Sequence, residues 1–131
     1  MPLHVEIVSP ERVLWAGDAD RVITRTEGGG DIAFLPGHTP FMGHLGPGVT
    51  EVLQPDGHVL RVAVHGGFVE VSDDRVSLLS DTAELSTGID LARARAALER
   101  AESALKAGED DEARAALRRA EVRLAAADDP A

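Results

Sequence analysis

From Leu3 to about Ala83, apolar and polar positions alternate with a period near two: Leu3, Val5 and Ile7 stand against His4 and Glu6, and Leu60, Val62 and Val64 against Arg61. Such alternation turns one face of an extended segment to a core and the other to solvent, so it predicts short β-strands. Turn-forming residues punctuate the pattern at Ala16-Gly17-Asp18, Glu27-Gly28-Gly29-Gly30, Gly46-Pro47-Gly48, Gln54-Pro55-Asp56-Gly57 and Ser72-Asp73-Asp74-Arg75. The pattern predicts a mostly β sandwich or flattened barrel of about ten short strands. Pro55 presets the first central torsion of a turn and Gly57 tolerates its closing one, so 49–53 and 58–64 are expected to pair as a hairpin.

After Gly88 the pattern changes. Fifteen of the forty-three residues from Ile89 onward are Ala, and Gly occurs only at Gly108. Leu91, Leu98 and Leu105 repeat every seven residues, as do Leu117 and Leu124. This spacing predicts two helices, each with one narrow apolar stripe. Gly108-Glu109-Asp110-Asp111 supplies a turn and an N-cap between them. The expected organisation is a β domain over 1–86 and a C-terminal α-helical hairpin over 87–131, with helices at 90–107 and 111–127.

Composition narrows the function classes. The 131 residues suffice for one domain, or for a small domain with an appendage. Three Phe, one Trp and no Tyr leave the core to aliphatic side chains, and Trp15 is expected in it. The net charge of -10 disfavours nucleic acid and direct docking on anionic lipid. Most of the excess negative charge is in the β half, with five Arg against thirteen acidic residues through Gly88. No apolar run approaches the roughly 20 residues that span a bilayer, and Met1 to Glu6 lacks signal-peptide character, so membrane association is expected through partners and not by insertion. There is no Cys, and His4, His38, His44, His58 and His65 form no His-x-His pair or His-Glu-x-x-His helix, so no metal site is expected. No Ser sits in a Gly-x-Ser-x-Gly elbow, and no catalytic residue is assigned.

The segment Gly30-Asp31-Ile32-Ala33-Phe34-Leu35-Pro36-Gly37-His38-Thr39-Pro40 resembles the Leu-Pro-Gly-His-Ala-Pro signature of epsilon subunits of bacterial F-type ATP synthases. Gly46-Pro47-Gly48, Gly66-Gly67-Phe68-Val69-Glu70-Val71 and Val76 to Ala83 follow the same family pattern in order. Ala33 departs from it, standing where the family usually has a second Gly. The resemblance implies a non-catalytic rotor subunit beside the gamma subunit in the central stalk, touching the c-ring and reaching the alpha/beta catalytic hexamer. It implies coupling of proton flow to ATP synthesis, restraint of ATP hydrolysis, and a peripheral place on the cytoplasmic face of the plasma membrane. Residues matching the ring-facing loop are Glu27, Asp31, Gly37 and His38; the competing reading is a Gly-rich turn with incidental charge.

Ile89-Asp90-Leu91-Ala92-Arg93-Ala94 is similar to the Ile-Asp-x-x-Arg-Ala motif of those epsilon subunits that bind ATP, and Arg119 to Leu124 is similar to their paired-arginine segment. The resemblance implies ATP as a regulatory ligand, with no cofactor required, held by Ile89, Asp90, Arg93, Ala94, Arg100, Arg119 and Arg123. Arg119 and Arg123 at i and i+4 share a helical face, and guanidinium forks suit phosphate oxygens. The plainer reading makes Asp90 an N-cap and the arginines solvated side chains on an alanine helix. An alanine-rich stripe buries little area, so the hairpin is expected to dock weakly and to detach. A free-standing β-barrel and helical-hairpin interaction module is the alternative to the rotor subunit.

Overall fold

The computed structural model describes residues 2–108 and 110–127; Glu109, part of the expected interhelical turn, and residues 128–131 lie outside the described residues. The β domain is a sandwich of ten strands: β1 Leu3–Val8, β2 Val13–Ala19, β3 Arg21–Arg25, β4 Asp31–Phe34, β5 Phe41–Leu45, β6 Gly48–Leu53, β7 Val59–Val64, β8 Gly67–Ser72, β9 Arg75–Leu79 and β10 Glu84–Leu85. One sheet has the order β2-β1-β9-β8-β5 and the other β10-β7-β6-β3-β4. The pairing of β1 with β9 is parallel and the other ladders are antiparallel.

The period of two is what builds the core. Leu3, Val5 and Ile7 of β1, Val22 of β3, Phe34 of β4, Val52 of β6, Val62 and Val64 of β7, Val69 and Val71 of β8, and Val76 and Leu78 of β9 meet between the sheets. The expected hairpin is β6 paired with β7, with Gly57 at φ 90° in its turn. Trp15 is partly buried against this core, its ring lying over Gly17. Two hydroxyls enter the core together: Thr24 and Thr50 share a hydrogen bond of 2.8 Å, which spares each the cost of about 1–3 kcal/mol carried by a buried unpaired polar group.

A single 3-10 turn at Ser86–Gly88 leads into α1, Leu91–Ala107, and α2 follows at Asp111–Ala127. Asp90 caps α1, its Oδ1 accepting from the Arg93 N–H at 3.1 Å, and Asp110 Oδ1 accepts from Glu112 N–H at 3.0 Å. The apolar stripe is rich in alanine, and the repeating leucines flank it. Ala94 and Ala101 of α1 and Ala113 and Ala120 of α2 are the buried positions at seven-residue spacing, whereas Leu98, Leu105, Leu117 and Leu124 are half-buried and Leu91 is 41% exposed. Helices packed over methyl groups put alanine on the seam and leave the longer leucines flanking it.

The hairpin sits on the outer face of the second sheet. Val122 and Ala126 of α2 pack on Ala63, with Val49 and Ile89 beside them. Ala63 pairs with Val49 across β6 and β7, so both face away from the sandwich core. The helix above them explains why Val62, Ala63 and Val64 are buried in succession. The buried members of this second core are small, Ala63, Val122 and Ala126, and a fully buried Val contributes about 1.5–3 kcal/mol.

Candidate functional site

Between the start of α1, the end of α2 and β10 lies a cleft of about 420 Å³. Six of the seven candidates meet in it: Ile89 and Asp90 at the helix entry, Arg93, Ala94 and Arg100 on one face of α1, and Arg123 from α2. The seventh does not line it. Arg119, one turn earlier on α2, places its Nη2 at 2.9 Å from Glu112 Oε1.

A residue that sequence reasoning left unassigned completes the wall. Glu84 of β10 accepts a 2.7 Å hydrogen bond from Arg123 Nε at its Oε1, and the same oxygen lies 3.3 Å from His65 Nε2. The pair joins the helical hairpin to the sandwich, and it fixes the Arg123 guanidinium at the cleft. Glu84 was accessible to the alternation rule, because Ala83 and Leu85 pack toward the core and leave Glu84 on the outer face. Nothing in the sequence said that α2 would lie there.

Three guanidinium groups face two carboxylates in this cleft, and both carboxylates are engaged, Glu84 by Arg123 and Asp90 by the Arg93 N–H. On a chain of net charge -10 the cleft is therefore a local cationic site, which suits a polyanion. The His65 side chain, only 5% exposed, lies beneath. Burial holds its pKa below the ordinary value of 6.5; the Arg123 charge pushes the same way, Glu84 opposes, and Arg119 adds a further downward push. His65 Nδ1 is buried without a hydrogen-bond partner among the described residues.

The ring-facing candidates occupy two places. Glu27 lies in the turn before β4, its N–H donating to the His44 carbonyl at 2.9 Å, and Asp31 Oδ1 accepts from Arg25 Nε at 3.2 Å. Gly37 and His38 lie beyond the other end of β4. The Gly37 N–H donates to Asp74 Oδ1 at 2.7 Å, with φ 85° at Gly37, and the His38 ring stands edge-on to Phe34 at 5.0 Å. Ala33 between them is exposed on β4.

Among the described residues no group of three or more His, Asp or Glu side chains is placed to hold a metal ion. No described helix is long and apolar enough to cross a membrane.

Two family profiles cover almost the whole chain: that described as the beta-sandwich domain of the ATP synthase delta/epsilon chain matches residues 2–86, and that described as its long alpha-helix domain matches residues 88–128. The chain belongs to the ATP synthase delta/epsilon chain family. Its relatives include the ATP synthase epsilon chain of Streptomyces griseus, 46% identical over 101 residues, 77% of this chain and 81% of that one. The epsilon chain of Thermobifida fusca is 53% identical over 104 residues, 76% of this chain and 74% of its own length. In fold the chain is similar to one from the cryo-EM structure of Euglena gracilis mitochondrial ATP synthase, with a TM-score of 0.81 at 24% identity over 96% of this chain and 81% of that one. The likeness in fold thus takes in the helical hairpin as well as the sandwich that this delta/epsilon chain family shares.

Proposed function

We propose that this chain serves as the epsilon subunit of a bacterial F-type ATP synthase, a non-catalytic central-stalk component whose helical hairpin restrains ATP hydrolysis when undocked and is held docked by ATP. The observation that carries the sensing role is the cationic cleft, whose walls come from both the hairpin and β10. A ligand in it bridges the two parts and binds the docked form alone. Its volume of about 420 Å³ falls within the usual range of small-molecule sites. Arg93, Arg100 and Arg123 supply forks for the triphosphate. Asp90 already accepts a backbone hydrogen bond, and its remaining acceptor capacity suits a ribose hydroxyl.

Weak docking makes the sensor workable. ATP at about 100 times its dissociation constant adds about 2.7 kcal/mol to the docked state, comparable with the few small side chains that hold the hairpin down. The undocked hairpin reaches the alpha/beta catalytic hexamer, and the sandwich stays with the gamma subunit and the c-ring, on the cytoplasmic face of the plasma membrane. Glu27 and Asp31 lie at one end of β4 and Gly37 and His38 at the other, so a ring-facing surface that includes all four runs along the β4 edge. Leu35, 52% exposed, and Met42, 65% exposed on the edge strand β5, add apolar contact area beside it. Rotation of this assembly couples proton flow to ATP synthesis.

Calorimetric titration of the full chain with ATP, with and without magnesium, is expected to give one-to-one binding that is weakened by Arg93→Ala. Absence of heat, together with an unchanged melting temperature at millimolar ATP, overturns the sensing role.

A further inference from the structure

We infer that His65 is a proton sensor for hairpin docking: protonating its imidazole favours release of α2 from the sandwich. The inference rests on the reading that the hairpin undocks, and it adds the proton as a second regulator of that movement. The ring follows the end of β7 at the seam between sandwich and hairpin, with its side chain 5% exposed. Three charged groups act on it. Glu84 of β10 meets Nε2 at 3.3 Å, and Arg123 and Arg119 bring positive charge from α2. Arg123 shares the same Glu84 oxygen, at 2.7 Å, and Arg119 is paired with Glu112.

In the neutral ring, Nε2 carries the hydrogen that faces Glu84, and Nδ1 is a bare, buried acceptor without a partner among the described residues. Adding a proton at Nδ1 creates a buried N–H with no acceptor and a second positive charge on the Glu84 carboxylate that Arg123 already engages. Both penalties disappear when α2 leaves. The ring then reaches water, the two arginines depart with the helix, and Glu84 is free to pair with the imidazolium. The proton therefore binds more tightly to the undocked form, and linkage requires that acid favour that form.

The sign and window follow from the direction of the shift. Docking is fully supported above the ordinary histidine value of 6.5 and weakens as pH falls from there toward the lower value of the docked state. Where the docked ring stays neutral, a fall from pH 7.5 to 5.5 reduces the docking constant on the order of tenfold.

The sequence contains no Cys, so the full chain accepts donor and acceptor dyes at His58→Cys and Ala104→Cys alone. Energy transfer is expected to change between pH 7.5 and 5.5 toward the value of an undocked control, Ala63→Asp, which places a charge under α2. In His65→Gln the acid-induced change should vanish, with Trp15 fluorescence reporting an intact sandwich throughout. An equal pH response in His65→Gln overturns the proton sensor, as does a flat response in the parent chain while Ala63→Asp shifts the signal. If Ala63→Asp also leaves the signal unchanged, the mobile hairpin itself is rejected and the sensor falls with it. Titration of the His65 ring by NMR in the otherwise unaltered chain gives an independent reading: a midpoint below 6.5 is expected, and one at or above 6.5 overturns the inference.

Discussion

Arg123→Ala is expected to weaken ATP binding by the full chain about 10- to 150-fold, whereas Arg119→Ala changes it by less than about threefold. A hydrogen bond to a charged group contributes about 1.5–3 kcal/mol, which sets the range for losing the Arg123 fork at the triphosphate. The same substitution removes the 2.7 Å contact with Glu84 that ties α2 to β10, so the docked form that binds nucleotide also becomes less populated. Arg119 has the same chemistry at a neighbouring position on the helix, but its Nη2 is committed to Glu112 and it does not line the cleft. Calorimetry on the two variants separates a geometric site from a general attraction of ATP to a basic helix. Equal losses contradict the site.

Gly67→Ala is expected to cost about 3 kcal/mol or more of folding stability. Gly67 opens β8 at φ 134°, a torsion that side chains rarely adopt, and a Cβ there would collide with the Leu79 carbonyl oxygen and crowd Ser80. Strain of this backbone kind costs about 1–3 kcal/mol, and the collision with β9 backbone adds to it because neither strand can move without disturbing the ladder between them. Gly57→Ala is the control. Gly57 has φ 90° but open space around the missing Cβ, so only the torsional cost applies. Urea denaturation should place Gly67→Ala well below Gly57→Ala in midpoint; similar midpoints contradict the close approach of β8 to β9.

The paired glycines were visible in the sequence as a motif, and the structure supplies their reason. Gly66 and Gly67 both have positive φ, and the Gly66 carbonyl accepts from Ser80 Oγ at 2.6 Å. The strands were legible because alternation is a local consequence of a sheet with one face on a core, as in Leu3, Val5 and Ile7. The two helices were legible from their alanine content and from Asp90 and Asp110 at their starts. The helical seam was not, because leucine repeats and alanine repeats share the seven-residue period, and only packing selects the alanines.

The cleft divides in the same way. Ile89, Asp90, Arg93 and Ala94 are adjacent in sequence, so one motif located them together, and Arg123 came from the similarity of its own segment to the family pattern. Glu84 is tied to Arg123 across thirty-nine residues and to His65 across nineteen. No spacing rule joins them. Their relation exists only once α2 lies across the outer face of the second sheet, where Ala63 meets Val122 and Ala126.

The most direct test is ATP hydrolysis by the assembled synthase carrying this chain with the hairpin locked to the sandwich, through a disulfide between Ala63→Cys and Ala126→Cys. A hairpin that restrains hydrolysis only when undocked predicts that the oxidised enzyme is uninhibited and that reduction restores the restraint. Inhibition of equal strength in the oxidised and reduced enzyme would contradict the account.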